Sequence, residues 1–136
     1  DIKEASKKAA VHQNIISFKD SYDTLLGERG VTLSGGQIQR ISIARALIKN
    51  SKILLLDDCL SAVDTDTEEE ILKNLKNVST KKTTVIVSHR ISSLKHADKI
   101  IVLENGEIIQ QGKHSDLIES KGYYKELFEK QQTEKA

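Results

Sequence analysis

Apolar residues in this chain fall alternately into helical repeats and short β-like runs, a pattern that predicts an α/β fold. Residues 2 to about 14 are amphipathic and Ala-rich and read as one helix. Residues 15 to 22 read as an irregular or short helical continuation toward a turn at Gly27. Ile38, Ile41, Ile43, Ala44, Ala46, Leu47 and Ile48 then predict a packed helix with one apolar face, running to about Lys49. Ile53-Leu54-Leu55-Leu56 is a continuous apolar run closed by Asp57-Asp58. It suits a strand buried on both faces of a parallel sheet, with its carboxylates delivered at the carboxyl edge where ligands bind. Thr65-Asp66-Thr67-Glu68 offers Thr65 as an N-cap with Glu three residues on. The acidic run Glu68-Glu69-Glu70 suits the positive end of a helix reaching about Val78. Thr83-Thr84-Val85-Ile86-Val87 is a second strand, and residues 100 to 103 are a third. Asn105-Gly106 turns that third strand back as an antiparallel hairpin through residue 111. Two polar helices, about 113 to 119 and 122 to 132, follow.

Candidate chemistry sits where these elements begin and end. Ser34-Gly35-Gly36-Gln37 precedes the helical repeat; paired glycines let backbone approach a ligand, and the N–H groups and dipole of a helix start attract an anion. The same residues also suit an ordinary Ser N-cap with a flexible Gly pair. An apolar strand ending in two carboxylates resembles the magnesium-holding strand of phosphate-transferring P-loop proteins, although such acids can simply cap the next turn. His89, in Ser88-His89-Arg90 at the end of the second strand, can hydrogen-bond a phosphate or a positioned water. His12, His96 and His114 lie in polar helical stretches and read as surface residues.

Composition narrows the class. The 136 residues suffice for one modest core, and 21 basic against 20 acidic side chains give a net charge of +1, so nothing implies nucleic acid or an acidic substrate. No run approaches a membrane-spanning length and no signal peptide is present, which fits a soluble cytosolic piece. Cys59, the single cysteine, reads as a small core-facing residue in a reducing compartment.

In these motifs the chain resembles the nucleotide-binding domain of ATP-binding cassette (ABC) transporters. Leu33-Ser34-Gly35-Gly36-Gln37 is similar to the family signature, and residues 53 to 58 resemble the Walker B strand. Ser61-Ala62-Val63-Asp64 resembles the D-loop, and Ser88-His89-Arg90 the switch histidine segment. Gly27-Glu28-Arg29-Gly30 is similar to the loop through which exporter-type members touch their transmembrane helices. The family's phosphate loop, G-x-x-x-x-G-K-[ST], has no counterpart here, since Gly112-Lys113 is followed by His114. The resemblance therefore implies a carboxy-terminal portion of such a domain. Residues 1–50 would belong to the helical signature subdomain and 51–136 to the α/β core, a partial P-loop, RecA-like parallel sheet with flanking helices. The strand of the missing loop would lie between the second and third strands, leaving the sheet open there.

The resemblance also implies roles. ATP held by one domain is covered by the signature of a second, so Ser34, Gly35, Gly36 and Gln37 would contact ATP in trans, in a homodimer or heterodimer. Asp57 would hold Mg²⁺ through water, Asp58 and His89 would be catalytic, and Asp64 would communicate between the two sites. Strongly hydrolysing members have Glu where this chain has Asp58, which implies a weak site of its own or a slow, symmetric homodimer. The implied function is the ATPase motor of an exporter at the cytoplasmic face of a membrane, with the chain alone binding ATP feebly. A soluble ABC-type clamp without a membrane partner is the alternative, and the Gly27 to Gly30 loop favours the exporter.

Overall fold

The computed structural model describes residues 1–135, which fall into two compact units, one comprising Asp1–Val87 and the other beginning at Ser88. The first unit contains α1 (Ile2–Lys8), α2 (His12–Ile16), α3 (Gly35–Ile48), β1 (Ile53–Asp57), α4 (Thr65–Ser79) and β2 (Thr83–Val87). The second contains β3 (Ile100–Glu104), β4 (Glu107–Gly112), α5 (His114–Glu119) and α6 (Tyr123–Lys135). β1 and β2 pair in parallel with Leu55 opposite Val85, and β3 and β4 pair antiparallel, so the strands form two separate two-stranded sheets. Asn105 (φ 50°) and Gly106 (φ 81°) both adopt the left-handed conformation that a two-residue hairpin needs.

Each unit has its own core. Val11, Ile43, Leu54, Leu56, Leu60, Val63, Ile71 and Leu75 are buried together in the first, and Ile91, Ile100, Val102, Leu117 and Tyr124 in the second. β1 is covered on one face and not on two as its apolar run predicts: Leu54 and Leu56 are buried, whereas Ile53 and Leu55 are each 64% exposed. A two-stranded sheet backed by one layer of helices leaves its other face open, and by strand alternation Asp57 lies on that open face.

The single amphipathic helix expected over residues 2 to 14 is interrupted. α1 stops at Lys8, Ala10 turns into the left-handed region at φ 53°, and α2 restarts at His12. Local propensity favours continuation, since alanine is the best helix former. Tertiary packing wins because the break buries both Ala9 and Val11 completely. Arg40 of α3 caps the break: its Nη1 donates to the Ala10 carbonyl at 2.5 Å and to Asn14 Oδ1 at 2.9 Å, while its Nε donates to the Gly36 carbonyl at 3.2 Å. Hydrogen bonds to a charged group contribute about 1.5–3 kcal/mol each. Arg40→Ala is therefore expected to destabilise the first unit by about 2–3 kcal/mol, read as a lower urea midpoint at unchanged slope.

α3 also departs from expectation. At about 100° per residue its apolar side chains spread around most of the helix, so no single apolar face exists: Ile43 and Ala44 are buried while Ile38 is 53% exposed. In α4 the N-cap is Asp64 and not Thr65. Glu68, in the acidic first turns of α4, is 1% exposed because it shares a helix stripe with buried Ile71 and Leu75. His12 and His114 are not free surface residues either. Each is half-buried, with Nδ1 hydrogen-bonded to a tyrosine hydroxyl, of Tyr22 at 2.7 Å and of Tyr124 at 2.8 Å. His96 is exposed as expected.

Candidate phosphate-binding site

Ser34 turns the chain into α3 through a complete capping box. Its Oγ accepts the Gln37 N–H at 3.2 Å, and Gln37 Oε1 accepts the Ser34 N–H at 2.9 Å. Both side chains expected at a phosphate thus also hold the helix start in shape. The first-turn N–H groups of Gly35 and Gly36 lie before any carbonyl that the helix could offer them, which is the electrostatic basis for anion binding there. The glycines have a packing reason as well. A Cβ on Gly36 would sit 2.8 Å from the Ala62 carbonyl oxygen, and one on Gly35 would touch the Ala62 Cβ at 3.4 Å.

The loop after β1 therefore lies directly against the start of α3. Asp57 closes β1, exposed at its carboxyl end. Asp58, also exposed, takes the left-handed conformation at φ 47° and donates its N–H to the Val87 carbonyl at 2.8 Å. Asp is among the residues that tolerate this conformation best. Among the described residues no group of three or more His, Cys, Asp or Glu side chains could hold a metal alone. Two adjacent carboxylates suit Mg²⁺, which keeps waters and is commonly shared with substrate phosphates. Cys59 follows, half-buried against the core as expected, and burial, helped by the charges of Asp58 and Asp57, pushes its thiol above the ordinary value.

Asp64 ends the loop by capping α4. Its Oδ2 accepts the Thr67 N–H at 3.0 Å and its Oδ1 accepts the Thr67 hydroxyl at 2.8 Å, and these bonds hold its carboxyl below the usual carboxylate range. A lowered folded-state pKa means that the stabilisation is complete above the unfolded value, about 3.9, and is lost as pH falls through the folded one. Asp64→Ala is expected to flatten the acid limb of stability against pH below about pH 4, measured by chemical unfolding at stepped pH.

His89 belongs to the second unit, where its side chain is exposed. Its backbone is fixed by Gln131 of α6, which donates Nε2 to the His89 carbonyl at 2.7 Å and accepts the Ile91 N–H at 2.9 Å. The signature residues, Asp57, Asp58 and Asp64 are gathered within the first unit. The Gly27 to Gly30 loop is a tight turn in that same unit: Gly27 has φ 111°, the Gly30 N–H donates to the Gly27 carbonyl at 3.0 Å, and any Cβ on Gly30 would overlap the Leu25 carbonyl oxygen. It presents Glu28 and Arg29 to solvent beside Leu25, which is 77% exposed.

Gln39 and Arg40 brace the first unit and Gln131 the backbone at His89 in the second, and sequence reasoning singled out none of them. They are polar residues on helices with no periodic signal, and their partners are distant in the chain.

The ABC transporter family profile matches residues 2–61. The chain is 54% identical over 131 residues to the uncharacterised ABC transporter ATP-binding protein YknU of Bacillus subtilis, covering 96% of the chain and 22% of that protein. It is 48% identical over 136 residues to the multidrug resistance-like ATP-binding protein MdlA of Escherichia coli, covering 100% of the chain and 23% of that protein. Among solved structures, a bacterial Atm1-family ABC exporter with ATP bound matches with a TM-score of 0.87 at 42% identity, covering 96% of the chain and 23% of the exporter. The chain thus spans about a fifth of the length of these relatives.

Proposed function

This chain belongs to the ABC transporter family of ATP-binding proteins, and on that premise we propose that it forms part of the ATP-hydrolysing motor of an exporter. The observation that carries the reading is the seating of the signature helix start, Ser34 to Gln37, on the loop between Asp58 and Asp64, with the carboxylates of Asp57 and Asp58 at the end of β1. Residues 1–50 serve as part of the signature subdomain and 51–136 as the carboxy-terminal part of the catalytic core. The names of the relatives, exporter and multidrug resistance proteins, favour this over a soluble clamp.

In the proposed motor the helix start covers ATP held by a second nucleotide-binding domain. Its N–H groups and dipole meet negative charge in a dimer interface from which water is excluded. On its own side, Asp58 orients and deprotonates the attacking water while His89 donates a hydrogen bond to the terminal phosphate. Asp57 would hold Mg²⁺, which neutralises phosphate charge when bound. The Gly27 to Gly30 loop meets the transmembrane domain at the cytoplasmic face. No described helix is long and apolar enough to cross a membrane.

The site's weak point is reach. An Asp side chain is one methylene shorter than Glu, roughly 1.5 Å, and a misplacement of about 1 Å costs on the order of a hundredfold in rate. Asp58→Glu in the full-length exporter is expected to raise Mg-dependent ATP turnover about 10- to 100-fold. The left-handed backbone at this residue suits Glu less well than Asp, so a small loss of thermal stability accompanies the gain. Unchanged turnover in Asp58→Glu would remove the chain's own site from the mechanism.

A further inference from the structure

Gln39, half-buried in the second turn of α3, uses both ends of its amide on one loop. Its Oε1 accepts the Ala62 N–H at 2.9 Å, while its Nε2 donates to Ser61 Oγ at 2.8 Å and to the Asp58 carbonyl at 3.3 Å. No carboxylate of equal length can do this, because it has no proton to donate. The backbone of Asp58 is consequently held on both sides, its N–H by the Val87 carbonyl of β2 and its C=O by Gln39 and by the Ser61 hydroxyl, which Gln39 also binds. That matters because Asp58 sits at φ 47°, a less populated backbone conformation that Asp tolerates and these bonds hold in place, and which sets where the carboxylate points. Gly36 closes the same contact from the helix start, its Cα packed against the Ala62 carbonyl too tightly for any side chain.

We propose that Gln39 is a positioning residue for ATP hydrolysis, tying the phosphate-covering start of α3 to the loop that aims Asp58 and leads to Asp64. The proposal rests on the motor reading above and extends it. In a dimer the helix start faces the partner's ATP while Asp58 faces this domain's own, so a displacement of one is transmitted to the other through this amide. Coupling of this kind needs a physical element that both sites bias, and the α3 start with its loop is that element.

The test uses the full-length exporter with Gln39→Ala and Gln39→Glu, read by kcat, KM, melting temperature and hydrogen exchange of the segment 59–63. Expected is a fall in kcat of about 10- to 100-fold in both variants with KM within about twofold. Gln39→Ala is also expected to speed exchange across 59–63 at a melting temperature near that of the wild type. Gln39→Glu, which keeps the acceptor for the Ala62 N–H, is expected to retain more of that protection while still losing turnover. Unchanged exchange in Gln39→Ala overturns the tie, and faster exchange with wild-type kcat overturns the positioning role. If the wild type hydrolyses no ATP while Gln39→Ala still loosens the segment, the motor reading fails and takes the positioning role with it, the tie alone surviving.

Discussion

If the proposed function holds, His89→Ala in the full-length protein is expected to lose about 10²- to 10⁴-fold in ATP turnover, the range that a positioned hydrogen-bonding or proton-transferring group contributes. The imidazole is exposed, so nothing in the core depends on it. The backbone that carries it is held from α6 by the two bonds of the Gln131 amide, and neither involves the histidine side chain. Melting temperature should therefore hardly move, because surface substitutions away from caps and cores usually stay within about 0.5 kcal/mol. KM for ATP should change less than kcat, since the lost bond strengthens as charge develops on the phosphate. Steady-state kinetics with a parallel melting curve checks both. A variant that keeps its turnover would make His89 a surface residue of a well-built turn and nothing more.

Elements whose determinants are local were legible in the chain. The hairpin follows from Asn105-Gly106, the strands from β-branched or apolar runs, and the α3 start from Ser34 and its glycines, all within a few residues. What failed to show was tertiary. The break after Lys8 depends on Arg40, whose partners Ala10 and Asn14 lie 30 and 26 residues away in the chain, and alanine-rich sequence gives no warning of it. An apolar run such as Ile53 to Leu56 tells that a strand is sticky, not how many of its faces the surrounding unit covers. Asp64 and Thr65 are both good caps, and the choice went to the residue whose carboxylate could take two bonds from Thr67. The residues proposed for the site could be named from the chain because they stand at the ends of strands and helices that the apolar pattern locates. The amides of Gln39 and Gln131 that brace them could not be, their partners lying 19 to 23 and 40 to 42 residues away.

Ser34 decides between a helix start that binds phosphate and one that merely begins a helix. Asp caps as well as Ser and adds a negative charge that the helix dipole favours, so Ser34→Asp should leave the melting temperature unchanged or raise it. At the same time it places a carboxylate where the proposed function puts the phosphate of a partner's ATP. Losing a single oxyanion donor already costs about 10²- to 10³-fold, and here attraction is replaced by repulsion. The deciding measurement is ATP turnover by the full-length exporter carrying Ser34→Asp, with its melting curve recorded alongside. A well-folded variant at least about a hundredfold slower than the wild type is the expected result; a well-folded variant hydrolysing ATP at the wild-type rate would contradict the assignment of this helix start to phosphate.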